Sequence, residues 1–488
     1  MKLLRATALL MLVPALAVCA GETATASPAV STDLDDLAQR LYSHYRAASS
    51  HNPDQWVRFG VIADRTAGWV RVWARPIRME AGAPVEFLLI GPDSGHDYEA
   101  LARSYAKAED IHRALEFIGV RPGRPVDYRR YYLWPKGERV RVYYRWSDRE
   151  ADYFSGVFTN RVRAERLIRD TTRNDTLPLE DFLFVGSRWL KDPGMGGIRV
   201  YAADAYDPQA IISDYNEPLT VLDVPYRAVD GEVYGTRQIN PRCRLPEDLL
   251  LDILLCPART GEAARVVDLT VRVAAKGEAA DPDDLIYRVE GTPQLRQSGD
   301  NHTLAGLWSV LARLDSEGRD VFLRIIPDDS VPVGVLGRLY VMLWGVTEKS
   351  RLRLDPAPEG HLFWKAFLPP ARLLDPSRRV VQPWELYLGE ERGVLTGTLR
   401  RREENEENEE GHAPCPPAAA EMKQYTVKNG EQAAAVIRAG PPPSDLLLVY
   451  CPDQLTYGRL MRFIRPLLAD HPTVYVVPRA GANPAPSG

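Results

Sequence analysis

The sequence predicts an α+β protein: an antiparallel-sheet-rich N-terminal domain, then two small βαβ-type modules joined by a disordered acidic linker. Three observations carry that expectation. Apolar residues alternate with polar ones through much of the first half, as in WVRVWARPIRM and RVRVYYRW. A strand, turn, helix, strand pattern occurs twice in the second half, at Asp320 to Leu354 and at Asp445 to Val477. Between the copies runs RRREENEENEEGHAPCPPAAAE, whose charges and prolines cannot bury apolar area.

The chain opens with Lys2 and Arg5, then ATALLMLVPALAVCA, interrupted by Pro14 and followed by small residues that suit cleavage after Ala20 or Ala26. Residues 1–26 therefore read as a signal peptide and leader start, and the protein as exported to a periplasm or the extracellular space. Val18 before Cys19 argues against a lipid anchor, where a small residue is needed. No later stretch is apolar enough to span a bilayer. With 488 residues, two to four domains are expected, and a net charge of −5 lacks the basic face that nucleic acid requires. Cys243, Cys256, Cys415 and Cys451 show no C-x-x-C spacing, so zinc-ribbon, thioredoxin and haem-attachment chemistry lack their signal, and no cofactor is expected. A Cys243–Cys256 disulfide would close a short loop worth about 3 kcal/mol; free thiols are the alternative.

Residues 27–56 read as a leader and a short amphipathic helix, with Leu34, Leu37, Leu41 and Tyr45 on one stripe. From Val57 the period becomes two. EDIHRALEFIG restores helical spacing at Ile111, Leu115 and Ile118 and stops at Gly119. FLFVGSRW and GIRVYAAD read as short strands around the GMGG turn, and the β-rich domain ends near Pro257.

Four segments in this domain, VEFLLIGPDSGHDYEAL, AEDIHRALEFIGVRPGRPV, FVGSRW and YAADAYDPQAIISDYNEP, resemble the YdjY-like family of bacterial exported proteins across residues 57–257. The resemblance implies a strand through Glu99 to Ala106, where local propensity favours helix. It implies a fold and no activity.

Residues 266–399 read as a first module. VVDLTVRVAA is a strand, HTLAGLWSVLARLDSEG a helix, DVFLRIIPDD a strand, VGVLGRLYVMLWGV a helix and SRLRLDP a strand, with an aromatic-rich insert, HLFWKAFLPPARLLDPSRRVVQPWELYLG, capping it. Residues 400–422 are the linker, 423–478 a second module and 479–488 a disordered tail. In the second module QYTVKNGEQ reads as a hairpin-like strand. The copies share Pro327, Asp328 and Gly334 in the first and Pro452, Asp453 and Gly458 in the second, with one residue fewer between. The second copy, through Pro452, Asp453, Tyr457 and Gly458, resembles the extracytoplasmic domain of the TolR/ExbD transport family. The membrane helix with its acidic residue that precedes that domain in the family is missing from both copies, so only the module and a preference for envelope partners are implied.

Candidate chemistry is sparse. His96, Glu99 and His112 contain metal-ligand types without a converging third ligand, and surface or helix-cap roles suit them better. Ser187 in FVGSRW lacks the G-x-S-x-G of a nucleophile elbow. GMGG precedes no helix that could hold a phosphate. The alternating arginines read as a solvated strand face or as a surface for aromatic and anionic ligands. Asp328, Asp329 and Asp453 sit at strand ends before helices, where carboxylates cap N-termini. With Tyr457 they are the candidate partner-binding residues. The function expected is a non-catalytic, exported binding or scaffolding protein of a bacterial envelope, its partner an envelope protein or a cell-wall component. The alternative is an exported hydrolase of cell-wall or polysaccharide substrates using a carboxylate pair, sought around Glu99, Asp204 and Asp214.

Overall fold

The computed structural model describes residues 33–80, 82–192, 194, 196–259, 266–290, 303–347, 349–379, 382–402, 422–440, 446–468 and 473–479. The signal-peptide segment, the leader up to residue 32, most of the acidic run and the tail from residue 480 lie outside them. The described fold is mixed α+β with a sheet-rich N-terminal region.

That region is a barrel-like ring of eight strands. In spatial order they are Trp69–Pro76, Leu251–Pro257, Glu138–Trp146, Phe182–Phe184, Leu222–Asp223, Ala210–Ser213, Phe87–Ile90 and Ala102–Ser104, and the last pairs back onto the first through Ala74 and Ser104. Closure removes the exposed edges that a β-rich domain must otherwise protect. Alternation sets the two faces: Val140, Val142 and Tyr144 point into the core, and the Tyr144 hydroxyl donates to the Leu88 carbonyl at 2.6 Å. The strand expected between Glu99 and Ala106 is Ala102–Ser104, after a 3-10 turn at Asp97–Glu99. The helix Ala108–Phe117 follows, its first N–H groups held by the Asp204 carboxylate at 2.7 and 2.9 Å. GMGG lies between the paired strands Trp189–Asp192 and Ile198–Tyr201.

Two of the alternating arginines, Arg71 and Arg145, fit neither reading given to them, while Arg75 and Arg78 are exposed. Arg71 and Arg145 are buried, and they converge on Asp252, which is fully buried. Arg71 Nε donates to one Asp252 oxygen at 2.7 Å and Arg145 Nε to the other at 3.0 Å. Arg71 also donates to the Tyr45 hydroxyl and the Tyr153 carbonyl, which ties the helix Leu34–Ser49 onto the barrel. Leu37 and Leu41 seal the contact against Ile62 and Trp73. The period-2 pattern located the outer face; a helix from elsewhere in the chain turned it into an interior.

The second half contains two small sheets. The first is ordered Leu285–Glu290, Val267–Ala275, Val321–Pro327, Leu352–Leu354; the second is Met422–Val427, Val394–Arg402, Trp384–Glu391, Leu446–Pro452, Thr473–Arg479. In each, a central strand has an antiparallel neighbour on one side and two parallel strands on the other, with helices in the crossovers. Three expectations are corrected here. The strand Trp384–Glu391, assigned to residues 266–399, is central to the second sheet, because its Trp384 and Leu386 pack with Leu447 and Val449. Residues 403–421, expected as part of an inter-module linker, instead connect two strands of that same sheet, since Arg400 pairs with Gln424 and Arg402 with Met422; lengthening a connection costs little closure entropy. Lys428-Asn429-Gly430 is a helix start rather than a hairpin turn: Asn429 caps Gly430–Ala439 by accepting from Gln432 N–H at 2.9 Å. Gly430 is needed there because a Cβ would meet the Phe463 carbonyl oxygen at 1.8 Å. Cys243, Cys256 and Cys451 are free thiols, so the Cys243–Cys256 bridge does not form; Cys415 lies outside the described residues.

The two sheets share one apolar core, and the barrel contributes Trp134 to it. Trp134 stands 5.7 Å from both Trp344 and Trp364, which stack on each other at 5.1 Å. Ion pairs frame this wedge: Arg139 grips Asp320 through two bonds of 2.7 Å, and Arg124 pairs with the buried Asp355.

Replacing Asp252 leaves two buried guanidinium groups without a counter-charge. Asp252→Asn is expected to cost about 3–5 kcal/mol, read as a lowered thermal midpoint with early proteolytic loss of the helix Leu34–Ser49. An unchanged midpoint would show that the cluster does not hold the helix.

Candidate functional site

Three of the four expected partner-binding residues, Asp329, Asp453 and Tyr457, meet at a seam inside the chain. Each small sheet ends a strand in an aspartate, and five residues later a glycine opens a helix: Asp329 and Gly334, Asp453 and Gly458. Asp329, not Asp328, is thus the counterpart of Asp453. The exchange is reciprocal. Gly334 N–H donates to the Asp453 carbonyl at 3.0 Å, and Gly458 N–H to the Asp329 carbonyl at 3.1 Å. Val333 N–H donates to the Leu455 carbonyl and Tyr457 N–H to the Val331 carbonyl, both at 2.8 Å. Arg338 lies 3.5 Å from the Asp453 carboxylate, and Arg462 lies 3.7 Å from that of Asp329. The carboxylates therefore do not cap their own helices. Their backbone carbonyls cap the other unit's helix, satisfying N–H groups that a helix start leaves unpaired. The glycines follow from this approach: a Cβ on Gly458 would fall 2.5 Å from Asp329 Cβ, and one on Gly334 would fall 2.6 Å from Asp453 Cγ.

Asp328 is exposed and outside this exchange. Tyr457 is buried, and burial raises its pKa. Its hydroxyl accepts from Leu362 N–H at 2.8 Å, and its ring stacks on His361. It holds residues 361 and 362, which line a cleft.

That cleft, of about 250 Å³, lies where three bodies meet: the barrel, the second sheet, and the segment with the aromatic insert that follows the first sheet. The barrel supplies Arg130 and Tyr131, the second sheet Leu468 with Thr473, Val474 and Tyr475, and the stretch that follows the first sheet residues 356–359, 361–363, 365 and 366. Tyr131 stacks on Phe363 with centroids 4.2 Å apart. Lys365 enters the same space half-buried; burial, and then the Arg227 guanidinium, pulls its pKa down. Sequence reasoning missed Lys365. Its only local signal was one cation set between aromatics in FWKAF.

A second polar cluster lies on the barrel. His96 Nδ1 is 2.5 Å from Glu99 Oε1, and its Nε2 is 2.8 Å from Asp207. Burial opposes charging of this imidazole, yet the Glu99 and Asp207 hydrogen bonds raise its pKa. Glu86 is pushed up to about 7 by burial, and further by the charges of Glu99 and Asp230. His112 does not join them: it contacts the Gly186 carbonyl and the Tyr201 hydroxyl, and burial lowers its pKa. Asp204 is used in its helix cap, and Asp214 is buried with Arg237 3.3 Å away. The Ser187 hydroxyl donates to the Leu219 carbonyl rather than to a base. Among the described residues no group of three or more His, Cys, Asp or Glu could hold a metal ion, and no helix is long and apolar enough to cross a membrane.

Residues 61–227 match the YdjY domain family. The match includes Arg130, Tyr131 and the His96 cluster and stops before Leu251–Pro257, which completes the ring. No curated protein matches the chain.

Gly458→Ala is expected to destabilise the seam by about 1–3 kcal/mol, read as a lower midpoint in thermal unfolding; an unaffected variant would mean that the helix start can back away. The barrel cluster makes a pH prediction. Glu86 has its folded pKa above its ordinary 4.5, so its contribution is complete below that value and lost as pH rises through about 7. His96, also raised, loses its contribution as pH rises past 6.5 and through its folded pKa. The melting temperature should fall between about pH 5 and pH 8, less steeply in Glu86→Gln. Parallel slopes in the two proteins would take Glu86 out of the cluster.

Proposed function

We propose that this chain is a non-catalytic, exported binding or scaffolding protein of a bacterial cell envelope, with an envelope protein or cell-wall component as its partner. Support for export comes from the signal-peptide pattern of residues 1–26. The single observation that carries binding over catalysis is the junction cleft: three bodies converge on it through stacked aromatics, and among the described residues its lining has no nucleophile paired with a base. We read the two small sheets as two copies of one TolR/ExbD-like unit, because helix starts, glycines and arginines correspond one for one across the seam. On this reading the duplication built a platform, and three of the four residues expected to meet a partner are used to hold the platform together.

A photo-crosslinking residue in place of Arg130, at the cleft wall, tests the proposal in the native envelope. One reproducible adduct, absent when the same residue replaces the exposed Arg78 outside the cleft lining, is expected. The absence of any adduct would overturn the binding role. The hydrolase reading retains one favourable observation, a Glu86 held near neutrality beside Glu99. Release of fragments from cell-wall or polysaccharide substrate, lost in Glu86→Gln, would establish it instead.

A further inference from the structure

We propose that the junction cleft is a receptor for a small carboxylate with an apolar body, the carboxylate meeting the Lys365 ammonium. This deepens the binding role and rests on it.

Three independent observations lead there. The first is space. About 250 Å³ is just below the ~300 Å³ at which sites for drug-sized ligands begin, so the occupant is compact. The second is an unanswered charge. Among the described residues no carboxylate pairs with Lys365, and Glu232, whose charge acts on it, already holds Arg227 through bonds of 2.6 and 2.8 Å. A half-buried ammonium loses hydration and gains when an anion replaces that water. Arg130, only loosely paired with Asp127 at 3.9 Å, adds a second cation to the lining, while among the described residues the lining has a single carboxylate, the exposed Glu359. The third is the wall. Tyr131, Phe363, Leu362 and Tyr475 present rings and an aliphatic chain, which suit an apolar or flat ligand body. Charge complementarity thus selects an anion, and the wall selects its hydrocarbon part. Free small acids and the C-terminal end of a peptide share this chemistry.

Trp364, next to Lys365 and stacked with Trp344, offers an intrinsic fluorescence reporter. The full-length chain is titrated with N-acetyl-leucine, with N-acetyl-leucinamide and with a hexapeptide ending in leucine with a free carboxylate. Saturable binding of the acid, at least about tenfold tighter than that of the amide, is expected. Hexapeptide binding would identify a peptide end as the source, and binding of the acid alone a free small acid. Lys365→Met, which keeps the aliphatic stem, should weaken acid binding about tenfold or more at unchanged melting temperature, and Lys365→Arg should restore most of it. Equal binding of acid and amide, no saturable binding of any probe, or full affinity in a folded Lys365→Met would overturn the proposal. If Arg130-directed crosslinking still captured a partner in that case, the binding role would stand without the carboxylate. Carboxylate binding with no crosslinked partner would keep the receptor and remove the scaffold.

Discussion

The architecture depends on a reciprocal exchange of backbone hydrogen bonds where two helices begin. A helix N-terminus leaves N–H groups unpaired, and a buried one must find acceptors. Here each helix start finds them on the neighbouring unit: Gly334 on Asp453, Gly458 on Asp329. Neither unit closes its own helix with a side chain at this place, and Thr456 makes no capping bond. Together they bury one core that includes Leu336, Leu339, Leu460 and Ile464. A sheet with two helices has little interior of its own, so pairing supplies area that a single copy lacks.

From that seam the order propagates outward. Tyr457, placed by its bond to the Val331 carbonyl, holds Leu362 and so fixes the aromatic insert. The insert carries Trp364, which receives Trp134 from the barrel, and Phe363, which receives Tyr131. The barrel's matching ion pairs, Arg139 with Asp320 and Arg124 with Asp355, set the orientation of this docking. The cleft is a by-product of three surfaces that fit around their aromatics without filling the middle. Its shape depends on every one of those contacts, although the seam acts on it only at one remove, through Tyr457 holding Leu362.

Much of this was legible in the chain. Alternation in RVRVYYRW marked a barrel strand and its inward face, and the stripe Leu34, Leu37, Leu41 marked the helix that covers it. The GMGG turn and the segment-by-segment likeness to the YdjY family located the β-rich domain. Other features were hidden for identifiable reasons. Arg71 and Arg145 look exposed in a period-2 pattern because the pattern reports one sheet face and is silent about what packs on the other. The acidic run looked like a boundary because composition shows that a segment cannot join a core, while saying nothing about whether its two ends are neighbours. Asn429-Gly430 is a good turn and a good helix start, and only the close approach of Phe463 decides between them. The cleft could not be read at all, since Arg130, Lys365 and Tyr475 belong to three separate stretches.

By itself, then, the sequence determined the local alphabet of this protein: which stretches are strands or helices, which faces are greasy, and where glycines recur after aspartates that follow strands. These follow from short-range periodicity and backbone preference, which a linear pattern carries. Tertiary structure alone decided that the aspartate carbonyls cap each other's helices, that the strand at Trp384 belongs to the later sheet, and that a lysine stands half-buried beside aromatics where three bodies meet. Each of those outcomes turns on which distant groups share a desolvated space, and burial of that kind is a property of the packed chain rather than of any window along it.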